Sequence, residues 1–353
     1  MVGTGCRGGF RGGKGALVTA ILLIVLGVSA VGVSTEASAR PYYEPLWTEA
    51  ETFTEEHGGP DEVEVGMFVS SIYDLDFYDG TFKTIFWVWF IYDDPDYNPL
   101  DAIEVTNARK YEVLESYGHG REDGREYIAA KMQVTINQPW DVSDFPFDNQ
   151  RLEIILESVG KDATQLVFKV DAKNSIISRD LWLSGWTTLP IESNHAIYQY
   201  NSTFGEESTD VISFPRLEFA IPLERNNPKL FFEAYIGYLI AFLMCGAIWI
   251  TIPFGMADYR IGMTLASLFA AIGNKNVLES NYPPSPTIGL ADQIEVITFL
   301  LITVSLFLSV GCERLHISGY QKIAHRLNLY GFPAMLLLYI GLLSVFVLQA
   351  AKL

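Results

Sequence analysis

Beyond Pro228 the chain turns apolar, and this constrains its fold more than any other feature. Four runs, near 230–254, 261–280, 292–312 and 327–351, are rich in Leu, Ile, Val, Phe and Ala. Each is about as long as the ~20-residue helix that crosses a ~30 Å hydrocarbon core. Lipid offers the backbone no hydrogen-bond partners, so runs of this length are expected to be helices. The second run is the least apolar. It carries Gly262, Thr264, Ser267, Gly273, Asn274, Lys275, Asn276, Glu279 and Ser280. Polar groups at membrane depth face water or a bundle interior. Such a helix either lines a pore together with symmetry-related copies or packs between neighbours through small residues. Gly262, Ala266, Ala270 and Gly273 suit the second arrangement nearly as well.

The part before these runs differs in charge. Residues 40–229 hold 15 Lys/Arg and 35 Asp/Glu, whereas residues 230–353 hold six of each sign. So acidic a half argues against nucleic acid as a partner, because phosphate binding needs clustered cations. It suits cations or amine ligands, or is simply a solvated surface. Lys and Arg sit at 260 and at 314, 322 and 326, while residues 281–291 have none. The positive-inside rule then puts the acidic half and residues 281–291 on the outer side. Arg7, Arg11 and Lys14, the apolar stretch 16–33 and Ala37-Ser38-Ala39 read as a signal peptide over 1–39, which implies the same orientation. A multi-pass protein of the cell (inner) membrane is expected, its polar half periplasmic or extracellular. Of the three cysteines, Cys6 lies in the signal and Cys245 and Cys312 in apolar runs. The exported half therefore has no disulfide and relies on a core.

Between about 62 and 225 the chain reads as short strands. "EVEVGMFVSSIY", "TFKTIFWVWFIY", "YIAAKMQVTIN", "RLEIILES", "TQLVFKV" and "RLEFAIPLER" mostly alternate and are broken by Gly, Asp, Asn and Pro. No long 3.6-period pattern interrupts them, so a β-sandwich or barrel is expected over 40–229, an all-β immunoglobulin-like sandwich being preferred, followed by a four-helix transmembrane bundle over 230–353. An enzyme is not indicated. The five histidines are scattered and match no metal spacing. "GHGREDG" at 118–124 lies between strands with no helix after it, so it reads as a hairpin turn rather than a phosphate loop. No cofactor is indicated. Asp93, Asp94 and Asp96, or Glu206 and Glu207, are either surface groups or a Ca²⁺ site.

The stretch "QPWDVSDFPFDNQRL" at 138–152 is oddly apolar for a connection between strands. Its "FPFD" core at 145–148 resembles the signature loop of pentameric ligand-gated ion channels of the bacterial type, in the Cys-loop receptor superfamily. "DLWLSGW" at 180–186, "ERNNP" at 224–228 and "ESNYPPSP" at 279–286 resemble further family segments, and the likeness covers nearly all of the chain beyond 39. The flanking cysteines of animal receptors would fall at Gln138 and Leu152, so the loop disulfide is lacking, as in bacterial members.

The resemblance implies a homopentamer in membrane lipid that passes monovalent cations. It would be opened by a small extracellular ligand: an amine, a proton or a divalent cation. It implies that Phe145, Pro146 and Phe147 press on residues 281–291 with Pro283, and that Asp148 and Asp79 pair with Arg225. It implies that Asp258, Gly262, Ala266, Phe269, Gly273, Asn276 and Ser280 face the pore. The rival stripe of Thr264, Ser267, Ala271 and Asn274 is the more polar one. On the first choice, Phe269 is the constriction and Asp258 a ring of carboxylates, which favours cations. Glu279 forms a second ring or pairs with Lys275. Trp87, Glu157, Tyr198, Tyr200 and Phe204 are the candidate agonist contacts. A non-conducting sensor of the same architecture is the alternative, since Gly262 and Ala266 stand where hydroxyls are usual.

Overall fold

A computed structural model describes residues 60–351 except 203, 206–211, 228 and 283–286. The signal-peptide reading, Pro283 and the Glu206-Glu207 pair lie outside the described residues.

Among the described residues, eleven strands form two sheets. The first runs β4 (Ala108–Gly120), β5 (Glu126–Asn137), β2 (Thr81–Tyr92), β1 (Asp61–Asp76) and β7 (Leu166–Val170), with β8 (Ile176–Ile177) also on β1. The second runs β10 (Glu192–Gln199), β11 (Ser213–Arg225), β6 (Asn149–Ser158) and β3 (Ile103–Val105), with β9 (Trp186–Thr188) on β11. Pairing is antiparallel except for β7 and β8 along β1. Alternate residues of β1, β2, β5, β6 and β11 close a shared core that includes Val65, Met67, Phe82, Phe86, Val134, Leu152, Ile154, Leu217 and Phe219. The expected sandwich is therefore present. Residues 121–125 are a hairpin turn between β4 and β5, closed by the Arg121 N–H donating to the Arg125 carbonyl at 2.8 Å. A one-turn helix, α1 (Pro99–Ala102), is capped by the Asn98 side chain, which accepts from the Leu100 amide.

Among the described residues four long helices follow: α2 (Lys229–Thr251), α3 (Ala257–Asn281), α4 (Leu290–Ile317) and α5 (Gln321–Ala350). α3, α4 and α5 begin two to six residues before the expected apolar runs, whereas α2 stops at Thr251, three residues before the expected end and two before Pro253. The connector between α4 and α5 shrinks to residues 318–320. α2, α4 and α5 are long and apolar enough to cross a membrane. α3 matches them in length, about 37 Å at 1.5 Å per residue, but not in apolarity. α2 and α3 approach closely at Gly237, where a Cβ would collide with the Asn274 side chain. That Asn274 amide donates to the Ala234 carbonyl at 3.0 Å. Of the four cations used for orientation, Arg314, Lys322 and Arg326 are exposed at one end of the bundle, whereas Arg260 is buried among the helices.

Candidate functional site

The helix α3 separates two stripes. Thr264, Ser267 and Ala271 are buried, and Asn274 is half-buried against α2. The hydroxyls of Thr264 and Ser267 donate to the carbonyls of Arg260 and Met263, one turn back. The polar stripe thus spends its hydrogen bonds inside its own subunit. Asp258, Gly262, Ala266, Phe269, Gly273, Asn276 and Ser280 are all exposed, Phe269 at 69%. Asp258 sits in the first turn, where the helix dipole favours a carboxylate. Lys275 reaches both Glu295 of α4 at 2.7 Å and Glu279 at 3.3 Å.

The loop 138–148 forms the seam between sandwich and helices. Phe145 is buried, stacks on Tyr282 at 4.1 Å between centroids, and its carbonyl accepts from the Tyr235 hydroxyl at 2.8 Å. The Ser143 carbonyl accepts from the Leu290 N–H at the head of α4, also at 2.8 Å. Backbone approaches backbone so closely there that a Cβ on Gly289 would lie 2.7 Å from that oxygen. Phe147, half-buried, meets Phe231 of α2 at 5.9 Å. Pro146 is buried, and the Phe145–Pro146 bond is cis. Phe145 and Phe147 thus dock on α2 and the end of α3, whereas Trp140 packs back on Phe77 at 4.4 Å.

Beneath the loop, Arg225 at the end of β11 donates from Nε and Nη2 to the two oxygens of Asp148, at 2.7 and 2.8 Å. The side chains are only 6% and 2% exposed. The guanidinium also lies 4.0 Å from the Trp186 ring, 5.2 Å from Phe145 and 5.5 Å from Phe77. Asp79 does not join this cluster. It turns outward to Arg109 at 2.6 Å, because Arg109 on β4 also reaches its carbonyl and Asn137. Phe77, Trp186, Tyr235 and Tyr282 complete the seam. Sequence reasoning assigned them no role, since each is one aromatic among many until sheet and helix are brought together.

Four of the five candidate agonist contacts meet on the second sheet. Tyr198 and Tyr200 stand 4.8 Å apart and Phe204 is 5.2 Å from Tyr200. Glu157 lies below them, its side chain 4% exposed. The group's centre is already filled by Arg216, which no sequence pattern marked. Its guanidinium stacks 3.6 Å over Tyr198, and its Nε donates to Glu157 at 2.6 Å. The Tyr200 hydroxyl donates to the other Glu157 oxygen at 2.5 Å. Burial first, then Glu157, pushes the Tyr200 hydroxyl up to about 12. The signal for Arg216 is its register opposite Glu157 on β6, which only strand pairing reveals. Trp87 is not part of the group. It lies on β2 in the other sheet, against Tyr117 at 5.9 Å.

Asp93, Asp94 and Asp96 are exposed at the surface. The Asp94 carboxylate accepts from the Asp96 amide and lies 3.9 Å from the Lys161 ammonium. Among the described residues no group of three or more His, Cys, Asp or Glu is arranged to hold a metal ion.

No protein-family model matches the chain. A curated protein does: a proton-gated ion channel of Gloeobacter violaceus is 24% identical over 224 residues, 63% of this chain and 56% of the channel. The chain is a distant homologue of that bacterial channel. The aligned part spans little more than half of the homologue's length. The homologue is described as an ion channel; this chain has a β-domain followed by helices of which three are long and apolar enough to cross a membrane.

Proposed function

We propose that the chain is one subunit of a homopentameric, ligand-gated, cation-selective channel of the cell membrane, its sandwich on the outer side. One observation carries this reading. α3, too polar to be wrapped in lipid, buries its hydroxyl stripe within the subunit and exposes the face of Asp258, Gly262, Ala266, Phe269, Gly273, Asn276 and Ser280. Around a fivefold axis that face lines an aqueous path. Phe269 forms the constriction, since water is unstable in a narrow apolar neck. Five Asp258 carboxylates at the inner mouth select cations. The exposed Arg314, Lys322 and Arg326 at one end of the bundle support a cytoplasmic inner end.

The seam of Phe145, Pro146, Phe147, Asp148 and Arg225 transmits the opening signal from sandwich to helices, and Pro283 belongs to the loop it acts on. The extracellular ligand acts between neighbouring sandwiches, with Trp87 of one subunit facing Glu157, Tyr198, Tyr200 and Phe204 of the next. The homologue's description supports the proton over the other candidates.

Current through purified protein in a planar bilayer under a KCl gradient tests the proposal, with wild type and Phe269→Ala side by side. The variant widens the neck and should conduct without ligand, reversing near the K⁺ potential. Reversal near the Cl⁻ potential would overturn the role of Asp258. Silence from both proteins, or a monomer by native mass in detergent, would overturn the channel itself.

A further inference from the structure

At the inner end of the bundle, Arg260 is 1% exposed, the largest of the fully buried side chains. A guanidinium removed from water costs several kcal/mol unless its donors and its charge are answered. Its donors reach almost every neighbouring element. Nη2 donates to the Ile252 carbonyl in the connector between α2 and α3 at 2.5 Å. Nη1 reaches Ser309 of α4 at 3.3 Å and Asn328 of α5 at 3.1 Å. Asn328 in turn donates to the Trp249 carbonyl at the end of α2, at 2.9 Å. The same connector is held twice more. The Phe254 ring lies 5.3 Å from the Arg260 guanidinium and stacks on His316 at 4.4 Å. The Gly255 N–H donates to Glu313 of α4.

Glu313 is 4% exposed, and like Arg260 it holds the connector between α2 and α3. Each member of this pair has one buried polar atom without a partner. On Arg260 it is Nε, a donor; on Glu313 it is Oε2, an acceptor. The two needs are complementary, a donor on one side chain and an acceptor on the other. Hydrogen bonding to Gly255 alone would be met by an amide; a buried carboxylate is called for only by the charge.

We propose that Arg260 and Glu313 are a buried charge pair that positions the inner end of α3, and through it the Asp258 carboxylates at the mouth. The proposal rests on the channel reading above. Asp258 lies two residues before Arg260 on the same helical turn, so loosening the pair displaces it directly. Arg260 and Glu313 are positioning residues, because neither faces the ion path.

The test is a four-member cycle in the full chain carrying Phe269→Ala: parent, Glu313→Gln, Arg260→Gln and the double variant. Gln at 313 keeps an acceptor for Gly255 and removes only the charge. Each single variant should lower the K⁺-to-Cl⁻ permeability ratio by at least about threefold and the melting temperature by roughly 5–10 °C. The double variant, with no uncompensated charge, should recover at least half of both losses. A Glu313→Gln variant identical to the parent would overturn the proposal, as would effects that simply add. Coupling in melting temperature with no change in permeability ratio would overturn the positioning role. Coupled melting with no current from any member would keep the pair and refute the channel reading instead.

Discussion

The pairing of Asp148 with Arg225 is sealed between sandwich and helices, and Asp148→Asn isolates its charge. Asparagine keeps the shape and one acceptor. It replaces the other oxygen with an N–H that faces donors, since Arg225 Nη2 and Gln150 Nε2 both point at that oxygen, each at 2.8 Å. The variant leaves the guanidinium, 6% exposed, without its carboxylate. Breaking a buried pair costs about 3–5 kcal/mol. The rings of Trp186, Phe145 and Phe77 stay around the guanidinium in both proteins and so do not enter the difference. A loss of about 3 kcal/mol should lower the melting temperature by roughly 6–12 °C. Asp79→Asn is the control. Its pairing with Arg109 is just as short, 2.6 Å, but the side chains are 64% and 47% exposed. Such pairs contribute about 0–1 kcal/mol. Intrinsic fluorescence of detergent-purified protein during heating measures both, with Trp186 4.0 Å from the guanidinium as reporter. Equal melting temperatures for the two variants would refute the claim that burial makes the Asp148 pair the stronger one.

Burial, then repulsion from Glu218, raises the Glu153 carboxyl above its ordinary value of 4.5. The folded state therefore prefers the protonated acid, and the penalty of holding it charged grows as pH rises through 4.5 and is complete above the folded value. Glu153→Gln should raise the melting temperature at pH 7 and leave it unchanged near pH 4; thermal scans at the two values check the sign. Arg216→Ala empties the ring face of Tyr198 and removes the cation from Glu157, which keeps only the Tyr200 hydroxyl. By calorimetry, methylguanidinium at millimolar concentration should bind this variant and not wild type, and binding by wild type would show that Arg216 does not fill the box.

Much of this was legible in the chain. Alternation marked β1, β2, β5, β6, β7 and β11, because a strand with one face on the core must repeat every two residues. It failed for β4, whose sequence ARKYEVLESYGHG is exposed along nearly its whole length, so no face selects apolar residues. It failed too for β10, largely outside the core. Among site residues, Asp148 and Arg225 were paired correctly, while Asp79 was misassigned, because its partner Arg109 sits on the strand that alternation did not reveal.

What the sequence determines by itself is what depends on solvent preference over short spans: apolar runs long enough for a bilayer, an acidic half that stays in water, and loops whose aromatics require burial. Which of two stripes of α3 turns inward was not decided there. The more polar stripe, Thr264, Ser267 and Asn274, looked like the wet one. It is turned inward because hydroxyls satisfy themselves on carbonyls one turn back, and because Asn274 fits against Gly237 of α2. Likewise nothing local separates Arg216, Arg225 and Arg260 from other arginines. Each gained its place from partners distant in sequence or in other elements: Glu157 for Arg216, Asp148 for Arg225, and Ser309, Asn328 and the Ile252 carbonyl for Arg260. A buried cation is tolerable only where folding delivers a countercharge or acceptors, and that delivery belongs to the tertiary structure.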